Sequence, residues 1–233
     1  MKKLLFFFLI LMSVSGRAQT EEETLLQEFL HSPDYAGFIA GSQFAGSGTL
    51  DMQKSFVDYR IGVYNEIEKR LPVLCLQFVG VQNGKKVIVG QIEAIKVRED
   101  YTGLPKNGRY LMLYKNYLQY NTGTSTGTIR VYDLNYDEYL VGEAAVTNGT
   151  VNNYTPYPMP DNIAAKYNLT GRAPHPCDTN HNGNVTYGEC FSCMLRSCMS
   201  DPECRFLCFL ANLYRSSCFN SMRVSCAILA IIY

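Results

Sequence analysis

The chain of 233 residues carries 21 basic and 21 acidic side chains, nine cysteines, 17 tyrosines and no tryptophan. At 47% hydrophobic and 18% charged it has the composition of a globular protein, which excludes wholesale disorder. A formal net charge of zero argues against a nucleic-acid binder, whose first requirement is a basic surface.

Residues 1–18 read as a secretory signal peptide. Lys2 and Lys3 supply the positive start, Leu4 to Val14 the apolar run, and Gly16-Arg17-Ala18 a small-residue cleavage site before Gln19. The apolar run is too short to persist as a membrane-spanning helix, and no Cys follows it to carry a lipid. An uncleaved N-terminal anchor is the alternative. Cleavage removes Lys2, Lys3 and Arg17 and leaves 215 residues with 18 basic and 21 acidic groups, a net charge of −3. The expectation is an exported protein, secreted or periplasmic, with no transmembrane segment in its mature chain.

Thr20-Glu21-Glu22-Glu23 is a capping-box pattern, and Leu25, Leu26, Phe29 and Leu30 then recur at helical spacing until Ser32-Pro33. Residues 41–48 (GSQFAGSG) read as a flexible connection, since they lack the Lys-Ser/Thr ending of a phosphate-binding loop. Over 56–71 the spacing of Phe56, Tyr59, Val63, Ile67 and Leu71 predicts a helix, although 56–63 also alternates like a strand. From Leu74 to about Tyr157 the period becomes two. Strands are expected at 74–78, 87–97, 109–119, 128–134, 139–146 and 151–154, with turns at Asn83-Gly84, Lys106-Asn107-Gly108, Asn135-Tyr136-Asp137 and Asn148-Gly149. This is an α+β fold: an N-terminal helix plus an antiparallel β-meander domain over 19–157, with one or two helices packed on one face. Eleven of the 17 tyrosines fall between Tyr101 and Tyr167. They suit a half-buried pleated surface; an exposed aromatic face for sugar or peptide is the alternative.

Residues 158–176 hold four of the nine prolines and read as an extended linker, with a short helical stretch at 163–167. Beyond it, 177–233 is expected to form a small, disulfide-rich, all-α C-terminal domain. Eight of the nine cysteines lie there, at Cys177, Cys190, Cys193, Cys198, Cys204, Cys208, Cys218 and Cys226. In an exported chain they read as disulfides whose connectivity the spacing leaves open. A zinc site on Cys190 and Cys193 is the metal alternative, without a second pair at a zinc-ribbon spacing. Cys75, in an expected strand, reads as a buried thiol rather than a nucleophile.

Residues 178–189 (DTNHNGNVTYGE) match D-x-[DN]-x-[DN]-G-x5-E at every position. Asp178, Asn180 and Asn182 present oxygen atoms at alternate positions, Gly183 permits the turn, Asn184 offers its carbonyl, Thr186 acts through water, and Glu189 closes the site with both oxygens. The segment resembles an EF-hand calcium loop, and these roles follow from that resemblance. Pro174 and Pro176 stand where an incoming helix would run, so the likeness is to the half-motifs of secreted bacterial modules such as dockerins. Those carry two such repeats, so cohesin binding is not implied. The implied cofactor is Ca2+, bound at about 0.1–1 mM because only Asp178 and Glu189 are charged. A capping turn, Thr186-x-x-Glu189, is the alternative. Helices are expected over 189–199, from Ser200-Asp201-Pro202-Glu203 onward, and around Cys218, Met222 and Cys226.

Catalytic signatures are absent. His31, His175 and His181 belong to no nucleophile or metalloprotease motif. The Asn-x-Ser/Thr sequons at Asn148, Asn153, Asn168 and Asn184 read as chance in a chain whose signal and single metal loop look bacterial. The expected function is that of a secreted, non-enzymatic binding protein for a protein or cell-surface ligand, with a calcium-stabilised C-terminal module. The alternative is a precursor whose Cys-rich tail, with a net charge of +2 from Cys190 onward, is released as an antibacterial or toxin-like peptide.

Overall fold

The structure is a computed structural model that describes residues 20–64, 67–97, 99, 104–105, 108–121, 123–167, 187–200 and 226. The expected signal segment, most of the expected calcium loop and the helices expected after residue 200 lie outside the described residues.

Helix α1 (Glu21–Leu30) begins with the expected capping box: Thr20 Oγ1 accepts the Glu23 N–H, and Glu23 Oε2 accepts the Thr20 N–H, both at 3.2 Å. A second helix follows at once, α2 (Pro33–Gly41). Ser32-Pro33 is therefore both a stop and a start, because proline at the first helical position loses no intrahelical bond. The buried Ser32 hydroxyl donates to the Phe29 carbonyl at 2.6 Å and accepts the Tyr35 N–H at 3.2 Å, serving the end of one helix and the start of the next. The connection over 41–48 is pinned by Phe44, 5% exposed, which stacks on Tyr114 with ring centroids 4.3 Å apart.

Eight strands form one antiparallel sheet: β1 (Thr49–Leu50), β2 (Phe56–Tyr64), β3 (Ile67–Gln82), β4 (Lys85–Lys96), β5 (Tyr110–Asn121), β6 (Thr126–Asp133), β7 (Tyr139–Thr147) and β8 (Thr150–Pro156). From β3 to β8 each strand pairs with the next, the meander expected from the period-two pattern. β1 and β2 share the outer edge of β3, opposite Phe78–Val79 and Ile67–Cys75 respectively. The helix expected over 56–71 is instead β2 and the start of β3. Phe56, Val57, Tyr59, Ile61, Val63 and Tyr64 are β-branched or aromatic, and a nine-residue ladder to β3 decides between the two periods. The β3–β4 and β7–β8 turns use Asn83 (φ 51) with Gly84 (φ 73), and Asn148 (φ 50) with Gly149 (φ 78). These left-handed pairs match the strand twist in a two-residue hairpin.

Helices cover both faces of the sheet, not one. On the first face α1, α2 and Phe44 meet Leu74, Leu76, Phe78, Ile92, Ala94, Met112 and Tyr114 in an apolar core. On the second, α3 (Asp161–Lys166) and α4 (Tyr187–Ser200) cover Val73, Ile95, Leu111, Leu113, Val131, Val141 and Tyr154. Met159, Ile163 and Ala164 are buried in this second core, so the start of the expected linker lies against the sheet. On the strands Tyr110, Tyr114, Tyr139 and Tyr154 are buried, while Tyr59, Tyr117, Tyr120 and Tyr132 are half-buried. Among the described residues no helix is long and apolar enough to cross a membrane.

Candidate functional site

Strand register places a polar band on the second face. Cys75, Glu93, Leu113 and Asp133 form one row across β3 to β6, and Gln77, Gln91, Lys115 and Val131 form the adjoining row. Residues in a row are direct neighbours, and those two apart on a strand share a face. Lys115 Nζ lies 2.7 Å from Glu93 Oε1, with side chains 7% and 1% exposed. Gln91 Nε2 donates to that same oxygen, and Gln77 Nε2 donates to Gln91 Oε1 at 3.4 Å. Asp133, wholly buried, accepts the Asn135 N–H at 2.9 Å. Pairing and hydrogen bonding are what let such charges stay away from water. Glu93, Lys115 and Asp133 belong to no motif. The signal for the first two is phase: Glu93 alternates with Ile95 and Val97, and Lys115 with Leu111 and Leu113, at positions reserved for the core.

Helix α4 closes over this face, against β6, β7 and β8. Tyr187, Cys190, Phe191 and Met194 stand at i, i+3, i+4 and i+7, the spacing of one helical face. The first three are buried. Cys190 is joined to the buried Cys226 by a disulfide across 36 residues, with Cα atoms 5.8 Å apart. The Tyr187 hydroxyl is buried and has no hydrogen-bond partner among the described residues. Burial first, then the nearby Asp133 and Cys75, push its pKa well above the ordinary phenol value.

Of the residues expected to hold Ca2+, Asp178, Asn180, Asn182, Asn184 and Thr186 lie outside the described residues, and Glu189 is on the first turn of α4. Among the described residues, no group of three or more His, Cys, Asp or Glu side chains is placed to hold a metal ion. Of the histidines, His31 is described: its Nδ1 donates to the Gln27 carbonyl at 2.7 Å, a helix-end contact.

A cleft of about 370 Å³ lies between α2 and the β6–β7 turn, lined by Asp34, Phe38, Asn135, Asp137, Glu138 and Tyr167 among others. Its polar groups are occupied by the protein itself. Both Asp34 oxygens accept the Arg109 N–H, at 3.0 and 3.2 Å, and burial outweighs these bonds to raise the Asp34 pKa. Asn135 accepts the Met112 N–H and donates to the Tyr110 carbonyl, each at 2.8 Å. Glu138 accepts the Gln43 N–H at 3.2 Å, while Asp137 holds Lys166 at 2.6 Å and the Tyr167 hydroxyl at 2.7 Å. The cleft is a seam that fastens α2 and α3 to the sheet. No family model, no curated protein and no solved structure matches the chain.

Proposed function

We propose that the chain is an exported, non-enzymatic binding protein of bacterial type, in which a calcium-stabilised, disulfide-laced helical module over 177–233 is held against a β-sheet domain. Its partner is a protein or a cell-surface ligand. The observation that carries this reading is the start of α4 at Tyr187, inside the twelve-position loop, which puts the expected closing ligand Glu189 on the first helical turn. A calcium ion bound there would fix the helix start. The helix start is in turn tied to the sheet by Tyr187, Cys190 and Phe191, so metal binding and docking of the module support each other.

The shared core also favours a retained module over a released peptide, because release would strip Phe191 and Cys226 of their burial. Mass spectrometry of the exported protein tests this. Intact protein beginning near Gln19 supports the retained module, and a fragment beginning near Cys177 overturns it. A metal titration of the melting temperature tests the loop. Calcium at tenfold excess over its Kd stabilises by about 1.4 kcal/mol, and Glu189→Ala abolishes that gain. A wild-type melting temperature indifferent to calcium would sink the metal reading.

A further inference from the structure

The antiparallel meander puts the β3–β4, β5–β6 and β7–β8 turns at one end of the sheet, and the β2–β3, β4–β5 and β6–β7 connections at the opposite end. The two ends differ in charge. The hairpin segments 80–88, 117–128 and 144–153 contain no Asp or Glu, whereas the connections at the opposite end carry Glu99, Asp137 and Glu138 among the described residues. The last two hairpins are held level, because the Asn148 N–H donates to Thr126 Oγ1 at 3.1 Å and the Gly149 N–H to the Ser125 carbonyl at 2.7 Å. At strand spacings of about 4.8 Å the three tips form a row roughly 20 Å long.

Lys85 and Lys86 follow the first of these tips, and Lys54 lies in the turn after β1. All three are exposed, and none makes an ion pair among the described residues. Three of the five large apolar side chains exposed among the described residues belong to the same region: Val81 at 72%, Leu118 at 50% and Met52 at 38%. Met52, Val81 and Lys86 line one surface groove of about 690 Å³. Its one carboxylate, Asp51, caps its own turn by accepting the Gln53 N–H at 3.1 Å. Exposed apolar side chains beside cations match a surface that offers acyl chains under negative headgroups. We infer that the hairpin end of the sheet docks on an anionic lipid bilayer. The carboxylates of the opposite end do not oppose docking. They sit a strand length away, about 40 Å for the 12 residues of β4, which is several Debye lengths at about 0.1 M salt. The inference gives a chemical class to the cell-surface ligand proposed above, rests on that reading for export alone, and needs no metal.

Co-sedimentation of the full-length, oxidised protein with vesicles tests this, in EDTA so that the outcome is independent of calcium. One set of vesicles is made of phosphatidylglycerol and phosphatidylcholine in equal parts, the other of phosphatidylcholine alone. Each lysine near an anionic surface multiplies the affinity about fivefold, so three give a preference for the anionic vesicles on the order of a hundredfold. That preference should fall steeply as salt is raised to about 0.5 M. Lys85→Gln/Lys86→Gln should lower anionic binding about thirtyfold. Val81→Ser should weaken it while leaving its salt dependence unchanged. All three positions are exposed, so both variants should keep the strand signal in circular dichroism. No preference for anionic vesicles, or a double variant that sediments like wild type, overturns the inference. Undiminished binding by Val81→Ser overturns a bilayer in favour of a soluble polyanion.

Discussion

Replacing Lys115 by Met tests whether the polar band is as dry as its geometry implies. The ammonium and the Glu93 carboxylate are 2.7 Å apart with side chains 7% and 1% exposed, and Gln91 donates to the same carboxylate oxygen. Lys115→Met fills the space of the alkyl chain but removes this countercharge from Glu93 in a desolvated setting. Breaking a buried pair from one side costs about 3–5 kcal/mol. For a chain of this length each kcal/mol lowers the melting temperature by about 2–4 °C, so the drop is on the order of 10 °C. Removing both charges, as in Glu93→Leu/Lys115→Met, should recover most of that loss, since a matched apolar pair is often neutral or better than a buried ion pair. Urea unfolding followed by circular dichroism gives all three stabilities. A single-variant loss below about 1 kcal/mol, the value of a solvated surface pair, would refute the desolvation argument, as would a double variant no better than the single.

Three further outcomes follow from packing and titration. Tyr110 and Tyr114 are pushed up to about 12 from 10.0, chiefly by burial, so the fold keeps them neutral where the unfolded chain ionises. Their contribution is complete below pH 10 and is lost as pH rises toward 12, at about 1.4 kcal/mol per unit for each phenol. Urea midpoints that stay flat across that window, with no late phenolate absorbance, would contradict this. A Cβ on Gly90 would lie 1.8 Å from the Tyr114 Oη and 2.4 Å from its Cζ, so Gly90→Ala should destabilise by about 1–3 kcal/mol, read from the same urea curves. Ser32→Ala removes the hydroxyl shared by α1 and α2 and should cost about 1–2 kcal/mol, with hydrogen exchange accelerated first at Tyr35.

The parts of the fold that local chemistry decides were legible in the sequence. Asn83-Gly84 and Asn148-Gly149 can adopt the left-handed pair that a two-residue hairpin requires, and Thr20 with Glu23 can close a capping box, so these features precede any tertiary contact. The segment over 56–71 was not decided locally. Its apolar residues satisfy both periods, and pairing with β3 selects the strand. Ser32-Pro33 misleads when proline is read only as a stop, since its missing N–H is costless at a helix start. The site divides the same way. The calcium loop proposed over 178–189 rests on a contiguous motif, of which Glu189 falls on α4. The polar band is assembled from β3, β4, β5 and β6, and its members meet only through a register that no single segment contains.

The proposed module depends on calcium binding by residues 178–189 at the head of α4. Isothermal titration of the full-length, oxidised protein with Ca2+ tests it most directly. The expected result is one weak site with Kd of about 0.1–1 mM in wild type and no binding heat in Asp178→Ala or Glu189→Ala. Absence of heat in wild type, or an isotherm unchanged by Glu189→Ala, would contradict it.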